Sequence, residues 1–429
     1  MINRSEAPEI QQIQHIEYPK AEKALLKNRL PVFYIHAASQ EVVKIDFVFG
    51  AGTWQQNEKF TASMTSFMLQ EGTENYTSAQ VAGIFDFYGA YIQAGADQDF
   101  ATLSIICLNK YLPEILKVTE EVLKKPLFPQ HELEVLIEKQ KQKFKFENEK
   151  VKVLCHKKFT TVLFGENHPY AVNNRVEDFD FITREKLVAF FNRWYHAGNC
   201  RIIVAGNADE AVRELIEKHF GGTDWMAVNS PVIRDDALPS SDRFHKMMKA
   251  NALQSAIRIG KPWVQKSHPD YIGLSVLITI FGGYFGSRLM MNIREEKGFT
   301  YGISAFVSNL KNAAFLVIST EVDNSYTEAT IAEIEKEIIC LRNELVSVEE
   351  LNTVKSYLLG EFLRDFDGPF ALANSFKAIN DFDLDYDFYD RYLLVLNEIT
   401  PSEIRQLAQK YLSFEEMYTV VVGENENMK

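Results

Sequence analysis

The chain has 429 residues, of which 46% are hydrophobic, 12% aromatic and 24% charged, enough for two or three domains with buried cores. Such a composition excludes a disordered, collagen-like or disulfide-scaffold protein. The 59 acidic against 46 basic residues leave a net charge of −13, which argues against nucleic-acid phosphates and anionic membrane surfaces as partners.

Residues 1–20 lack the apolar core of a secretory signal, and no apolar run approaches the ~18–20 residues of a membrane span. Cys107, Cys155, Cys200 and Cys340 are widely spaced with no CxxC and read as buried or incidental thiols. A soluble, reducing, cytoplasmic setting is the expectation.

Along the chain, VVKIDFVFG (42–50) predicts a strand closed by the Gly50-Ala51-Gly52 turn signal. Helices are predicted over 61–71 and 78–88, then two short strands within 91–108 around Asp97-Gln98-Asp99. Leu112, Ile115, Leu116, Thr119, Val122 and Leu123 share one helical face over 112–125. A longer, charged helix follows over 131–150, and RIIVAG (201–206) predicts a further strand.

The same grammar returns in the second half. Helices are predicted over 270–280 and 286–296, broken at Gly282-Gly283, with Gly298 at the C′ position. TYGISAFV (300–307) and AAFLVIST (313–320) predict a hairpin, and Ile331, Ile334, Ile338, Leu341 and Leu345 an apolar stripe on the next helix. Tyr91 and Tyr301, 210 positions apart, each open a predicted hairpin. Thr183 and Thr400 differ by 217, as do Gly206 and Gly423. A repeat of more than 200 residues means duplicated domains and not a solenoid. The expected fold class is α+β: two homologous domains, each a mostly antiparallel sheet packed against helices. The expected boundaries are 1–225 and 245–429, joined by a Pro-, Ser- and Asp-rich linker over 226–244.

No nucleophile or phosphate motif stands out. Ser63 and Ser66 sit in a predicted helix without a GxSxG elbow. The run from Gly282 to Gly286 lacks GxGxxG order, and there is no Walker lysine. No two of the nine histidines lie within five residues of each other. His131 with Glu134 has helical i, i+3 spacing but sits on a charged, solvent-facing helix, and His168 before Pro169 is expected to fix a loop.

Several segments carry a family likeness. FGAGTWQQNEKFTASMTSFMLQEGTENYTSAQ with Gly52 and Gly72-Thr73, LFGENHPY (163–170), and SRLMMNIREEKGFTYGISA (287–305) resemble the pitrilysin and mitochondrial-processing-peptidase family of inverzincins. In that family an HxxEH helix aims two imidazoles at zinc and a carboxylate at its water, and a glutamate from a later helix completes the site. The resemblance places the HxxEH positions at Ser63, Ser66 and Phe67, the distal ligand at Lys143, and its supporting carboxylate at Leu136. A serine hydroxyl is a poor zinc ligand, phenylalanine is none, and a lysine repels the cation, so this chain is expected to hold no metal or other cofactor itself.

The resemblance also maps the family's substrate-binding arginine and tyrosine onto Arg294 and Tyr301, and its substrate-presenting edge strand onto Tyr91, Ile92, Gln93 and Ala94. It implies a zinc-less subunit of a heterodimeric metalloendopeptidase. Arg294 and Tyr301 would act on an unfolded peptide held at the zinc of a homologous HxxEH-bearing partner. The alternatives are a peptide-binding or structural scaffold of the same fold, and an active peptidase with an altered metal site.

Overall fold

The computed structural model describes residues 17–37, 40–225 and 237–424. The first half builds a six-stranded sheet from β1 (Glu22–Leu25), β2 (Pro31–His36), β3 (Val42–Phe49), β4 (Tyr91–Ala96), β5 (Ala101–Leu108) and β6 (Cys200–Gly206), in the order β1-β2-β6-β3-β5-β4. The second half builds a five-stranded sheet from β7 (Phe244–Met248), β8 (Gln254–Pro262), β9 (Ile303–Asn309), β10 (Ala314–Asp323) and β11 (Tyr418–Gly423), in the order β7-β11-β8-β10-β9. Each sheet has one parallel pair, β2–β6 and β7–β11, and is otherwise antiparallel. The second sheet repeats the first strand for strand, with β1 as the addition.

The first half carries helices α1 (Thr61–Met68), α2 (Ser78–Phe87), α3 (Leu112–Lys124), α4 (Gln130–Glu147), α5 (Val151–Phe164), α6 (Arg184–Trp194) and α7 (Glu210–Phe220). The second carries α8 (Tyr271–Ile278), α9 (Thr327–Asn343), α10 (Val348–Asp365), α11 (Pro369–Asn380), α12 (Asp387–Glu398) and α13 (Pro401–Tyr411). Thr183 and Thr400, matched in the sequence, are both N-caps: their hydroxyls accept from Lys186 N and Glu403 N. Gly206 and Gly423 end the matched strands β6 and β11.

Burial explains the patterns. The six apolar positions marked on α3 are all buried, as a helix laid on a sheet requires. β3 is central and covered on both faces, so its run is almost continuously apolar, and its buried Asp46 is paired with Lys44 at 3.0 Å. Leu345 departs from the expected stripe. It lies past the end of α9 and is 53% exposed, while Ile334, Ile338 and Leu341 are buried. The break at Gly282-Gly283 is the end of a π-helical turn, Thr279–Gly283, that continues α8. Tyr301 does not open the hairpin either, since β9 begins two residues later at Ile303.

The two halves exchange helices. From α5, Phe159, Leu163 and Phe164 pack on Ala256, Val317, Val420 and Val422 of the second sheet. From α11, Leu372, Ala373, Phe376 and Ile379 pack on Ile35, Val48, Ile203 and Ala205 of the first. Each sheet thus has one face covered by its own half and the other by a helix of the opposite half. Linker residues 226–236 lie outside the described residues. Among the described residues, no helix is long and apolar enough to cross a membrane.

Candidate functional site

The site builds from two helix faces. On α1 and its start, Phe60, Ser63, Met64 and Phe67 follow helical i, i+3, i+4, i+7 spacing, and on α4 so do Gln140, Lys143, Phe144 and Glu147. With Phe179 these residues enclose a cavity of about 210 Å³. Ser63 and Phe67, and Lys143 76 positions beyond Phe67 along the chain, therefore converge on one space.

Ser66 does not join them. It is 1% exposed on the inner face of α1, near the buried phenol of Tyr195 but with no hydrogen-bond partner for its hydroxyl among the described residues. Leu136 packs against the core of the first half and lines no part of the cavity.

The cavity wall is aromatic and locally strained. Phe60 takes a left-handed backbone conformation (φ 67°) at the N-cap of α1, a region costly for a residue with a bulky side chain. Its ring is held in place by stacking on Phe179, with centroids 4.0 Å apart, and by an edge contact with Phe144 at 5.5 Å.

These residues do not fit a zinc centre. The Ser63 hydroxyl donates back to Phe60 O at 3.1 Å, Phe67 offers no donor atom, and Lys143 brings a positive charge. Glu147, the one carboxylate on the wall, is engaged by Lys150 at 2.7 Å. Among the described residues, no three His, Cys, Asp or Glu side chains are grouped as a metal would need.

α1, one wall of the cavity, also packs on β4, the edge strand of the first sheet. Along β4, Tyr91 and Gln93 are exposed, Ile92 is half-buried and Ala94 is buried, and the Tyr91 hydroxyl donates to Gln93 at 2.6 Å. β4 is paired on one side with β5, which leaves the other row of its backbone N–H and C=O groups open.

In the second half, Arg294 sits in a π-helical turn, Met290–Glu296. Turns of this type are rare and recur at functional sites. Arg288 anchors the segment through a bidentate pair with Glu350, both bonds 2.8 Å, and buried Asn292 donates to Glu333 and Glu337 at 2.9 and 2.8 Å. Leu289 and Ile293 are buried, which turns Arg294 outward. Its guanidinium lies 4.5 Å from the centroid of Phe285 and 3.5 Å from Glu295. Gly298, at φ 67°, closes the turn by donating to Arg294 O at 3.1 Å. Tyr301 then stands 94% exposed. A purely packing role for Tyr301 would require a burial that it does not have. Among the described residues, Arg294 and Tyr301 share no hydrogen bond, ion pair or ring contact with the α1–α4 cavity.

Two features were not anticipated in the sequence. Phe285 is 63% exposed under Arg294, inside a run considered for its glycines alone. The Phe60–Phe144–Phe179 cluster had half a signal, because Phe144 follows Lys143 directly on the same helix face. His168 does fix a loop: its Nδ1 accepts from Tyr170 N at 3.1 Å, and its ring stacks on Phe164. His131 is exposed.

Comparison with known proteins converges on one family. A model described as insulinase (peptidase family M16) matches residues 31–166, and one described as peptidase M16 inactive domain matches 182–358. An uncharacterized zinc protease of Rickettsia felis is 22% identical over 343 residues, 79% of this chain and 82% of its own. A protein named non-peptidase homolog YmxG, from Helicobacter pylori, is 20% identical over 362 residues, 84% of this chain and 78% of its own. The crystal structure of a peptidase M16 inactive domain from Pseudomonas fluorescens has a TM-score of 0.87 at 22% identity, covering 95% of this chain and 99% of that one, which establishes the shared fold.

Proposed function

The chain belongs to the M16 (insulinase) peptidase family, and we propose that within it this chain is the zinc-less subunit of a heterodimeric metalloendopeptidase. It is a non-catalytic member. Ser63, Phe67 and Lys143, the positions that the family resemblance matches to zinc ligands, line one cavity and are poor zinc ligands or none, which supports this reading. The similarity to proteins named non-peptidase homolog and inactive domain supports the same reading.

The observation that carries the subunit reading is Tyr301, 94% exposed and seven residues after an outward-turned Arg294 on a segment pinned from both sides. An unsupported phenol and a guanidinium are suited to donating hydrogen bonds to a peptide carbonyl and to its developing oxyanion. Working in trans, they would serve a peptide at the zinc of a homologous HxxEH-bearing partner. The open edge of β4 would add an extended, unfolded peptide as a further strand.

The test is a mild affinity purification of the full chain from its native cell, assayed for peptide cleavage with and without a chelator. Chelator-sensitive cleavage co-eluting with an HxxEH-bearing second chain supports the divided enzyme. A chain that remains inert and unaccompanied at any zinc level sinks it and leaves a scaffold or peptide binder of the same fold.

A further inference from the structure

The cavity between α1 and α4 has lost its metal chemistry without being filled in. Its walls are apolar, from Phe60, Met64, Phe67, Phe144 and Phe179, and its rim is polar, with Lys143 as the cation. At about 210 Å³ it is smaller than the roughly 300–1,000 Å³ of small-molecule sites and matches a single large side chain.

The Lys143 charge acts on Glu147, which lines the same cavity, but no short contact ties it down. Nearby, Lys141 pairs with Asp180 at 2.8 Å and Lys150 with Glu147 at 2.7 Å, whereas Lys139 and Lys145, like Lys143, make no ion pair or hydrogen bond among the described residues. Lys143 makes no ion pair or hydrogen bond among the described residues, although Glu147 is one helical turn away on the same face. An apolar hole with an ammonium group in its lining, held by no short ion pair, selects a ligand bearing an apolar group and an anion close together.

In a peptide, one residue carries both: a carboxy-terminal residue with an apolar side chain. An internal aspartate or glutamate has the charge but nothing to fill the hole. An internal phenylalanine or leucine has the reverse. β4, on which α1 packs, is an edge strand whose backbone could hydrogen-bond the residues that precede such a terminus.

We propose that this cavity receives the carboxy terminus of a peptide, with an apolar or aromatic last side chain seated among Phe60, Phe67, Phe144 and Phe179 and the terminal carboxylate paired with Lys143. The proposal rests on the peptide-binding reading above and names the end of the peptide that this chain holds.

The experiment is fluorescence anisotropy with the full chain and a labelled short peptide ending in phenylalanine, as free acid and as carboxamide. The free acid is expected to bind about tenfold or more tightly, the effect of one charge-assisted hydrogen bond. Lys143→Gln should abolish that preference, so that acid and amide bind alike. Because Lys143 is exposed, the variant is expected to fold. Equal binding of acid and amide overturns the proposal and leaves peptide binding standing. An acid preference that survives Lys143→Gln overturns it as well. If neither peptide binds, the peptide-binding reading falls and this proposal falls with it.

Discussion

The phenol of Tyr170 donates to Asp99 Oδ1 at 2.5 Å, and the pair holds a turn of the opposite half. Lys311 N donates to Asp99 Oδ2 at 2.9 Å and Asn312 N to the Tyr170 oxygen at 3.2 Å. The turn that carries Asp99 is shaped by Asp97, whose carboxylate accepts from the backbone of Asp99 and Phe100. Gly52 lets the chain pass beside it, since a Cβ there would lie 2.5 Å from the Asp99 backbone. Burial holds both the Asp99 and the Tyr170 pKa above their ordinary values.

Tyr170→Phe would therefore leave Asn312 N without its acceptor and take one donor from a buried carboxylate. The expected cost is about 1–3 kcal/mol, measured as a shift in urea unfolding. A change below roughly 0.5 kcal/mol, ordinary for a surface substitution, would assign the junction to the exchanged helices alone.

A second prediction concerns acid. His156, on α5 beneath the second sheet, has its pKa held down to about 4 by burial and then by the neighbouring Arg258 guanidinium. Its Nδ1 has no hydrogen-bond partner. The unfolded chain therefore binds a proton at this site that the folded chain refuses between the ordinary value of 6.5 and about 4. The sign follows: the contribution is fully present above 6.5 and is lost as pH falls toward 4, on the order of 2–3 kcal/mol. His156→Gln should show a smaller loss of unfolding free energy than the wild type over that window. Parallel curves would mean that the folded protein accommodates the charged imidazole.

Much of this architecture was legible because local physics and global fold agree. The α3 stripe named its buried residues, and the paired Thr caps and strand-end glycines exposed the duplication. The family resemblance marked Ser63 and Phe67 ahead of Gly72-Thr73 and Lys143 on the charged helix, and these three line one cavity. Periodicity says which residues are buried but not against what, so the passage of α5 and α11 onto the opposite sheets was invisible. It also grouped Ser66 with Ser63 and Phe67, whereas the short α1 is buried on most of its circumference and turns Ser66 inward. The π turns that aim Arg294 leave no mark in helical spacing at all.

For the subunit reading, Arg294→Ala and Tyr301→Phe should each lower the peptide-cleavage rate of the assembled complex by ~10²–10³, the loss of one oxyanion donor. Unfolding free energy should stay within about 0.5 kcal/mol for Tyr301→Phe, because that hydroxyl stands in solvent. Separating the two readouts matters, since a structural role would move stability first. Unchanged turnover in both variants would remove these residues from the substrate site.

The convergence of Ser63, Phe67 and Lys143 makes a reversal testable. In the triple variant Ser63→His, Phe67→His and Lys143→Glu, two imidazoles would stand at i, i+4 on α1 and a carboxylate would face them from α4 across the same cavity. All three positions are at least partly exposed, so the substitutions bury no unpaired charge. The expected result is one zinc per chain by titration calorimetry, against no stoichiometric zinc for the wild type. Adding Ser66→Glu should behave differently. That position is 1% exposed against Tyr195, so an ionised carboxylate there costs stability, and the variant should unfold at lower urea without gaining metal affinity. Zinc bound tightly by the wild type, or refused by the triple variant, would show that α1 and α4 do not meet as described.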